Sequence, residues 1–246
     1  MNWTRCLPAS CLIAWLISGS VHTLQLTNED PDALWTNREE FPSAMRALEI
    51  WDRRLKADPK DFESAWKLAR ACYWIRPRVS GRDADRERTR GIDAARRAIK
   101  LRNNSPEGHF WFALNLGVLR ETFNWESALK EGFVTIERAL KAVIKANPGF
   151  ENGAAHVALG RLHGKTPSFF GGSKTKAEES LRRALDVDSE NALALFFLAE
   201  FLIDRDRHTE ARTTLERLIA AQVRPQWAPE SRELQDRASR LVQTLK

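Results

Sequence analysis

The sequence predicts an all-α fold: a tetratricopeptide-like helical-repeat array (an α-solenoid) that ends in a C-terminal capping helix. Two interleaved phrases predict it. The first phrase is a small residue followed by apolar residues four and eight positions later, which places all three on one helical face. Its copies follow at steps of 44, 41, 45 and 34 residues and begin at Ala47, Gly91, Gly132, Ala177 and Ala211.

The second phrase is a leucine followed by alanine or glycine in the middle of an apolar helix. Its copies begin at Leu68, Leu116, Leu159 and Leu198, and each precedes a copy of the first phrase. The two phrases therefore predict alternating A and B helices. Only the last step has the 34-residue tetratricopeptide period, so longer helices or loops are expected in the earlier repeats.

Helix boundaries are marked by polar and proline residues between the apolar stretches. Two predictions are specific: a helix over 174–187 capped by Ser173, and a final helix over 227–245 with Pro229 in its first turn. The final helix would cap the array. The other boundaries are expected at Asp58-Pro59, Ser105-Pro106, Asn147-Pro148-Gly149 and Asp188-Ser189.

The N-terminal segment has the layout of a secretory signal peptide. Arg5 is followed by a mostly apolar run and by small residues up to Ser20. We therefore expect a signal peptide over 1–20, with an uncleaved anchor as the alternative, and a single repeat domain over 21–246. A lipoprotein is not supported, because few apolar residues precede Cys11. Cleavage would leave Cys72, on an apolar helix, as a core residue.

Positive charge is concentrated in one segment. The formal net charge is +6, and residues 76–102 hold ten Arg/Lys and four Asp/Glu, so the rest of the chain is neutral. One interpretation is a solvated helix face with a charged loop. The other is a surface that docks an acidic partner or lipid headgroups. Nucleic acid is not expected as a partner of an exported protein.

Catalytic and metal chemistry find little support. Gly164-Lys165-Thr166 lacks the glycine spacing and the preceding strand of a phosphate-binding loop. His109, His156 and His163 have no acidic neighbour at zinc-ligand spacing. No general acid and base pair can be nominated, and we expect no catalytic residue, metal or cofactor.

The segment 166–181, TPSFFGGSKTKAEESL, places two aromatics and two glycines between helices. A structural turn explains Gly171 and Gly172, because glycine permits a left-handed reversal. It does not explain Phe169 and Phe170. The alternatives are a structural loop and a lip that faces a ligand or a partner.

Three segments together resemble the TatT family, the T-component of TRAP (tripartite ATP-independent periplasmic) transporters. A motif like Pro-x-Phe-x-Gly-Gly falls on Pro167, Phe169, Gly171 and Gly172. An aromatic-Trp…Asn-Leu-Gly element falls on 110–117, and a late Ala-Pro-Glu-Asn element falls on 228–231, with Ser231 in place of asparagine.

The resemblance implies an exported, non-enzymatic accessory protein. It would bind a periplasmic substrate-binding protein and hold a small organic or hydrophobic ligand within the helical array. The contact residues we expect are Trp111, Asn115, His156, Phe169, Phe170, Gly171, Gly172 and Glu230. A generic tetratricopeptide scaffold in the cell envelope and a hydrolase with an acid or histidine on the A helices are the alternatives. A homo-oligomer is left open.

Overall fold

A computed structural model of the chain describes residues 29–117 and 126–245. Within these ranges the regular structure is helical, and the all-α repeat array predicted from the sequence is confirmed. The α-helices are α1 (Pro31–Thr36), α2 (Phe41–Ala57), α3 (Phe62–Ile75), α4 (Gly81–Leu101), α5 (Pro106–Gly117), α6 (Glu126–Ala146), α7 (Ala154–Lys165), α8 (Lys174–Val187), α9 (Ala192–Ile203), α10 (His208–Ala220) and α11 (Ala228–Thr244).

The helices form two layers. Each helix packs against the next one along the chain, and α3 also contacts α5, α7 contacts α9, and α9 contacts α11. The even-numbered helices of the described chain make no comparable contacts with one another. Because the odd-numbered helices approach each other more closely, the array curves towards them, and they form its inner layer. The predicted A helices are therefore α3, α5, α7 and α9.

Small residues permit the close approach of the two layers. A Cβ added at Gly91 of α4 would lie 2.3 Å from Oδ1 of Asn115 on α5, and one added at Gly160 of α7 would lie 2.5 Å from Cγ of Leu181 on α8. Both distances are shorter than a van der Waals contact, so a side chain at either position would force the neighbouring atoms to shift. The repeated phrases thus mark the contact lines between A and B helices.

Helix starts follow the predicted capping chemistry. Ser173 caps α8 by accepting a hydrogen bond from the backbone nitrogen of Lys176. Asp61 and Asn191 cap α3 and α9 in the same way. α11 begins at Ala228 with Pro229 in its first turn, as predicted, and packs on α9 and α10 at the end of the array.

The core divides into two main clusters. The first spans α1 to α7 and is rich in tryptophan, with Trp35, Trp51, Trp74 and Trp111 among its buried members. The second spans α7 to α11 and consists mainly of leucine, alanine and phenylalanine. Cys72 lies fully buried in the first cluster, as predicted, and burial together with nearby Glu87 raises the pKa of its thiol.

The predicted signal peptide over 1–20 lies outside the described residues. None of the helices in 29–117 and 126–245 combines the length and the apolar character that crossing a membrane requires.

Candidate functional site

A partly buried ion pair joins the two ends of the array. The side chain of Arg38, 4% exposed, follows α1 and binds Glu230 of α11 through two hydrogen bonds, Nε to Oε1 at 3.0 Å and Nη2 to Oε2 at 2.6 Å. Trp74 of α3 donates its indole N–H to Oε1 of the same carboxylate at 3.1 Å. We call Arg38, Trp74 and Glu230 the clasp. It brings the first and last described helices together across the inner layer.

An arginine lies among tryptophans beside the clasp. Arg70 of α3 places its guanidinium carbon 4.7 Å from the ring centroid of Trp35, 4.9 Å from that of Trp66 and 5.5 Å from that of Trp51. These distances are in the range of cation–π attraction. Burial lowers the pKa of Arg70 to about 10, so the group keeps its charge at neutral pH.

A left-handed turn directs a carboxyl group towards this arginine. Glu151 and Asn152 have φ of 48° and 56°, and Gly153 follows with φ of 81°. Left-handed backbone is unfavourable for residues with a Cβ and is often found at functional sites. The turn is held in place because Asn191 donates a hydrogen bond to the carbonyl of Asn152 at 2.7 Å.

The surroundings of Glu151 are partly apolar and partly charged. Burial raises the pKa of Glu151, and the neighbouring carboxylate of Glu107 acts in the same direction. Arg70 and Arg38 are close enough to oppose that rise. A carboxyl group in this environment therefore changes its protonation state closer to neutral pH than an exposed glutamate does.

α5 contributes two further groups. Glu107 and Trp111 lie four residues apart on one face of this helix, and the Trp111 ring packs against Tyr73 of α3 with 6.0 Å between centroids. Oε2 of Glu107 and Nε1 of Trp111 are both buried and have no hydrogen-bond partner. Arg70, Glu107, Trp111 and Glu151 form what we call the inner polar cluster.

Two of the predicted contact residues lie in helix packing. Asn115 of α5 is buried and donates hydrogen bonds to the carbonyls of Ala69, at 3.0 Å, and Trp111, at 2.8 Å. His156 of α7 is buried, and burial together with the charge of Arg183 on α8 lowers its pKa. Their predicted roles in ligand contact stay predictions, whereas their packing roles are visible.

Four of the predicted residues, Phe169, Phe170, Gly171 and Gly172, lie in one loop between α7 and α8. We call this loop, Pro167–Gly172, the aromatic lip. Phe169 is 70% exposed, and its ring lies 4.1 Å from that of Phe170. Gly171 has φ of 103° and faces the ring of Phe133, and a Cβ at Gly172 would lie 1.8 Å from the carbonyl oxygen of Thr166. The glycines are therefore required by the loop itself.

Backbone hydrogen bonds hold the aromatic lip in one conformation. Gly172 donates to the carbonyl of Pro167 at 3.1 Å, and Ser173 donates to that of His163 at 3.3 Å. The lip thus presents an exposed phenylalanine on a fixed loop. It is separate in sequence and composition from the inner polar cluster.

Sequence reasoning identified Trp111 and Glu230 but missed Arg38, Arg70, Glu107 and Glu151. One signal was available: Trp66, Arg70 and Trp74 are spaced at four residues and share a face of α3. Arg38 and Glu230 are 192 residues apart, and no local pattern pairs them. Together these groups suit noncovalent binding. In the described part of the chain, no three histidine, cysteine or acidic side chains converge as metal ligands would.

Two family models match the sequence. The model described as "Regulator of microtubule dynamics protein 1-3" matches residues 29–166, more than half of the chain. A tetratricopeptide repeat model matches residues 175–229. A comparison with curated proteins gave no significant match.

Solved structures share the fold. The chain is similar to a thermophilic tetratricopeptide protein of Thermus thermophilus, TTC0263, with a TM-score of 0.67 and 19% identity over 87% of this chain and 97% of that one. It is also similar to PilF of Pseudomonas aeruginosa, with a TM-score of 0.53 and 12% identity over 87% and 91% of the two chains. At these identities the likeness establishes the fold.

Proposed function

The chain belongs to the family described as regulator of microtubule dynamics protein 1-3. From its resemblance to TatT proteins and its signal-peptide layout, we propose that it is an exported, non-enzymatic accessory protein. Its partner would be the substrate-binding component of a TRAP-type transport system, and it would also hold a small organic ligand. The tetratricopeptide-like array itself is a scaffold for protein–protein interaction.

The exposed Phe169 carries the proposal of a folded protein partner. Large aromatic side chains at the centre of an interface supply much of its binding free energy. An aromatic on a loop already held by its own hydrogen bonds loses little conformational entropy on binding. The aromatic lip has both properties. The motif resemblance to TatT proteins, which includes Pro167, Phe169 and both glycines, supports a TRAP component as the partner.

A second candidate is favoured by the family name and by α4. Exposed basic residues on this helix include Arg82, Arg97 and Lys100. Other arginines of the helix are paired locally, since Arg86 binds Asp83 and Glu87. The exposed ones could bind an acidic protein surface, and the family description makes microtubules the specific form of this candidate.

The test uses the purified full chain and a TRAP substrate-binding protein from the same organism. We expect binding in biolayer interferometry, and Phe169→Ser should weaken it by about thirtyfold or more, since losing a hot-spot aromatic costs about 2 kcal/mol or more. Ile219→Ser is the matched control, because Ile219 is an exposed apolar residue on α10.

Two results would contradict the TRAP proposal: no binding to that protein, or equal loss in both variants. Co-sedimentation of the chain with microtubules serves as the competing measurement. Sedimentation that disappears when Arg97 and Lys100 are changed to glutamate would favour the second candidate.

A further inference from the structure

The guanidinium of Arg70 has two hydrogen-bond donors without an acceptor. Nε and Nη2 are both shielded from solvent and lack a hydrogen-bond partner. The carboxylate of Asp32 is the closest acid, with Oδ1 4.0 Å from Nη2, which is too far for a hydrogen bond. The other oxygen of Asp32 accepts a hydrogen bond from Lys67 at 2.8 Å. Asp32 therefore compensates the charge of Arg70 only in part.

These two donors have a specific geometry. The N–H bonds of Nε and Nη2 lie on one edge of the planar guanidinium and run parallel, which matches the two oxygens of a carboxylate. The tryptophans around Arg70 fix the orientation of that edge. A buried charged donor left without an acceptor costs more free energy than an ordinary hydrogen bond returns. A bound carboxylate would remove that cost.

Acceptors for a positive group lie on the adjoining elements. Oε2 of Glu107 is buried without a donor, and Glu151 is close enough to both Glu107 and Arg70 for their charges to interact. The structure records no hydrogen bond between Arg70 and either glutamate. Arg70 and the two glutamates are thus close to one another without forming a direct ion pair. Such an arrangement suits a ligand that carries both a negative and a positive charge.

Aromatic rings border the same region. Trp66 and Trp74 lie one turn to either side of Arg70 on α3, and Trp111 lies against Tyr73 with a buried, unpartnered indole N–H. Aromatic faces attract ammonium groups, and the indole N–H is a further donor for a carboxylate oxygen. The side chain of Arg70 as a whole is 16% exposed, whereas Nε and Nη2 themselves are shielded.

We propose that the inner polar cluster is a binding site for a small zwitterion, a free amino acid or a close analogue. Its carboxylate binds the Nε and Nη2 edge of Arg70, and its ammonium group binds Glu107 and Glu151. This inference rests on the ligand-holding part of the proposed function and names the ligand class. It does not depend on the aromatic lip or on the protein partner.

The test is a ligand panel on the purified full chain. The panel contains the free amino acids, acetate as a carboxylate without ammonium, and methylamine as an ammonium without carboxylate, each at about 10 mM in a thermal-shift measurement. We expect at least one amino acid to raise the melting temperature while acetate and methylamine do not. Its affinity is then measured by isothermal titration calorimetry.

Two variants test the assigned contacts. Arg70→Lys keeps the charge but loses the paired edge, and we expect at least about tenfold weaker binding. Glu151→Gln should weaken binding of the same amino acid by removing a partner of the ammonium. Arg96→Gln is the control, because Arg96 is exposed on α4. This variant should bind the amino acid as tightly as the unchanged chain does. If Arg70→Lys fails to fold by circular dichroism, Trp111→Phe replaces it, because it removes the indole N–H donor and keeps an aromatic ring at this position.

Three outcomes overturn the proposal: no amino acid changes the melting temperature, acetate binds as tightly as an amino acid, or Arg70→Lys and Glu151→Gln bind unchanged. Because the panel needs no protein partner, its failure leaves the test with Phe169→Ser intact. Conversely, if the chain bound an amino acid but did not bind the TRAP substrate-binding protein, the site would be upheld and the TRAP role would be contradicted.

Discussion

The two halves of the array have the same architecture but different interiors. Between residues 70 and 163 several buried side-chain atoms lack hydrogen-bond partners, among them atoms of Arg70, Glu107 and Trp111, whereas the described residues from 164 to 245 contribute none. The core of α8 to α11 consists mainly of leucine, alanine and phenylalanine. Native interiors satisfy most polar groups, so unsatisfied ones indicate function more often than stability. The C-terminal half supports the array, and the N-terminal half carries the inner polar cluster.

The largest effect on stability is expected in the C-terminal half. Leu181 is 2% exposed and fills the space opposite Gly160. Leu181→Ala should lower the free energy of unfolding by about 3 kcal/mol, because a buried leucine truncated to alanine leaves a cavity. Chemical denaturation measures the change, and amino-acid affinity should stay the same in the folded variant.

Leu181→Met is the matched control and should cost less than about 1.5 kcal/mol, since it conserves volume. If Leu181→Ala weakened amino-acid binding more than stability, the division between the two halves would be wrong.

The clasp should give an intermediate effect, because it connects the halves. Glu230→Gln removes the carboxylate that pairs directly with the buried Arg38, and we expect a loss of about 2 kcal/mol in the free energy of unfolding. Arg232→Gln breaks the exposed pair with Glu39 on the same side of the molecule and should cost less than about 0.5 kcal/mol. Equal losses in urea denaturation would show that burial of Arg38 contributes nothing.

The smallest effect is a dependence on pH. Burial lowers the pKa of His156 below its ordinary 6.5 in the folded protein. The unfolded chain therefore binds protons more readily, and the histidine's contribution to stability is lost as the pH falls below about 6.5 and through the lowered folded pKa.

The variant His156→Gln should flatten that part of the stability profile, measured by urea denaturation at pH values between about 5 and 8. His109 is half-exposed on α5, so His109→Gln serves as the comparison. The interpretation fails if His109→Gln flattens the profile to the same extent.

Periodicity was enough to predict the array, and capping and proline residues predicted several of its helix boundaries. At Gly91 the small residue that begins the first phrase has a direct explanation, because a Cβ there would collide with Asn115 on the neighbouring helix. Ser173 and Pro229 were assigned correctly for a similar reason: capping and proline placement depend only on nearby backbone groups.

The predicted contact residues show where local reasoning stops. Trp111 borders the inner polar cluster, Phe169 is exposed and Glu230 is in the clasp, whereas Asn115 and His156 lie in packing. A helical pattern places residues on faces, but it does not say which neighbouring helix covers each face. That information comes from contacts between elements.

The sequence by itself therefore determined the class of fold, the alternation of helices and the glycine requirements of the aromatic lip, because each depends on interactions within a few residues or a regular repeat. Only the tertiary structure decided that Arg38 meets Glu230 across 192 residues and that Arg70, Glu107 and Glu151 share one interior. The physical reason is that curvature of the array, set by small offsets at each helix contact, accumulates until distant residues lie side by side.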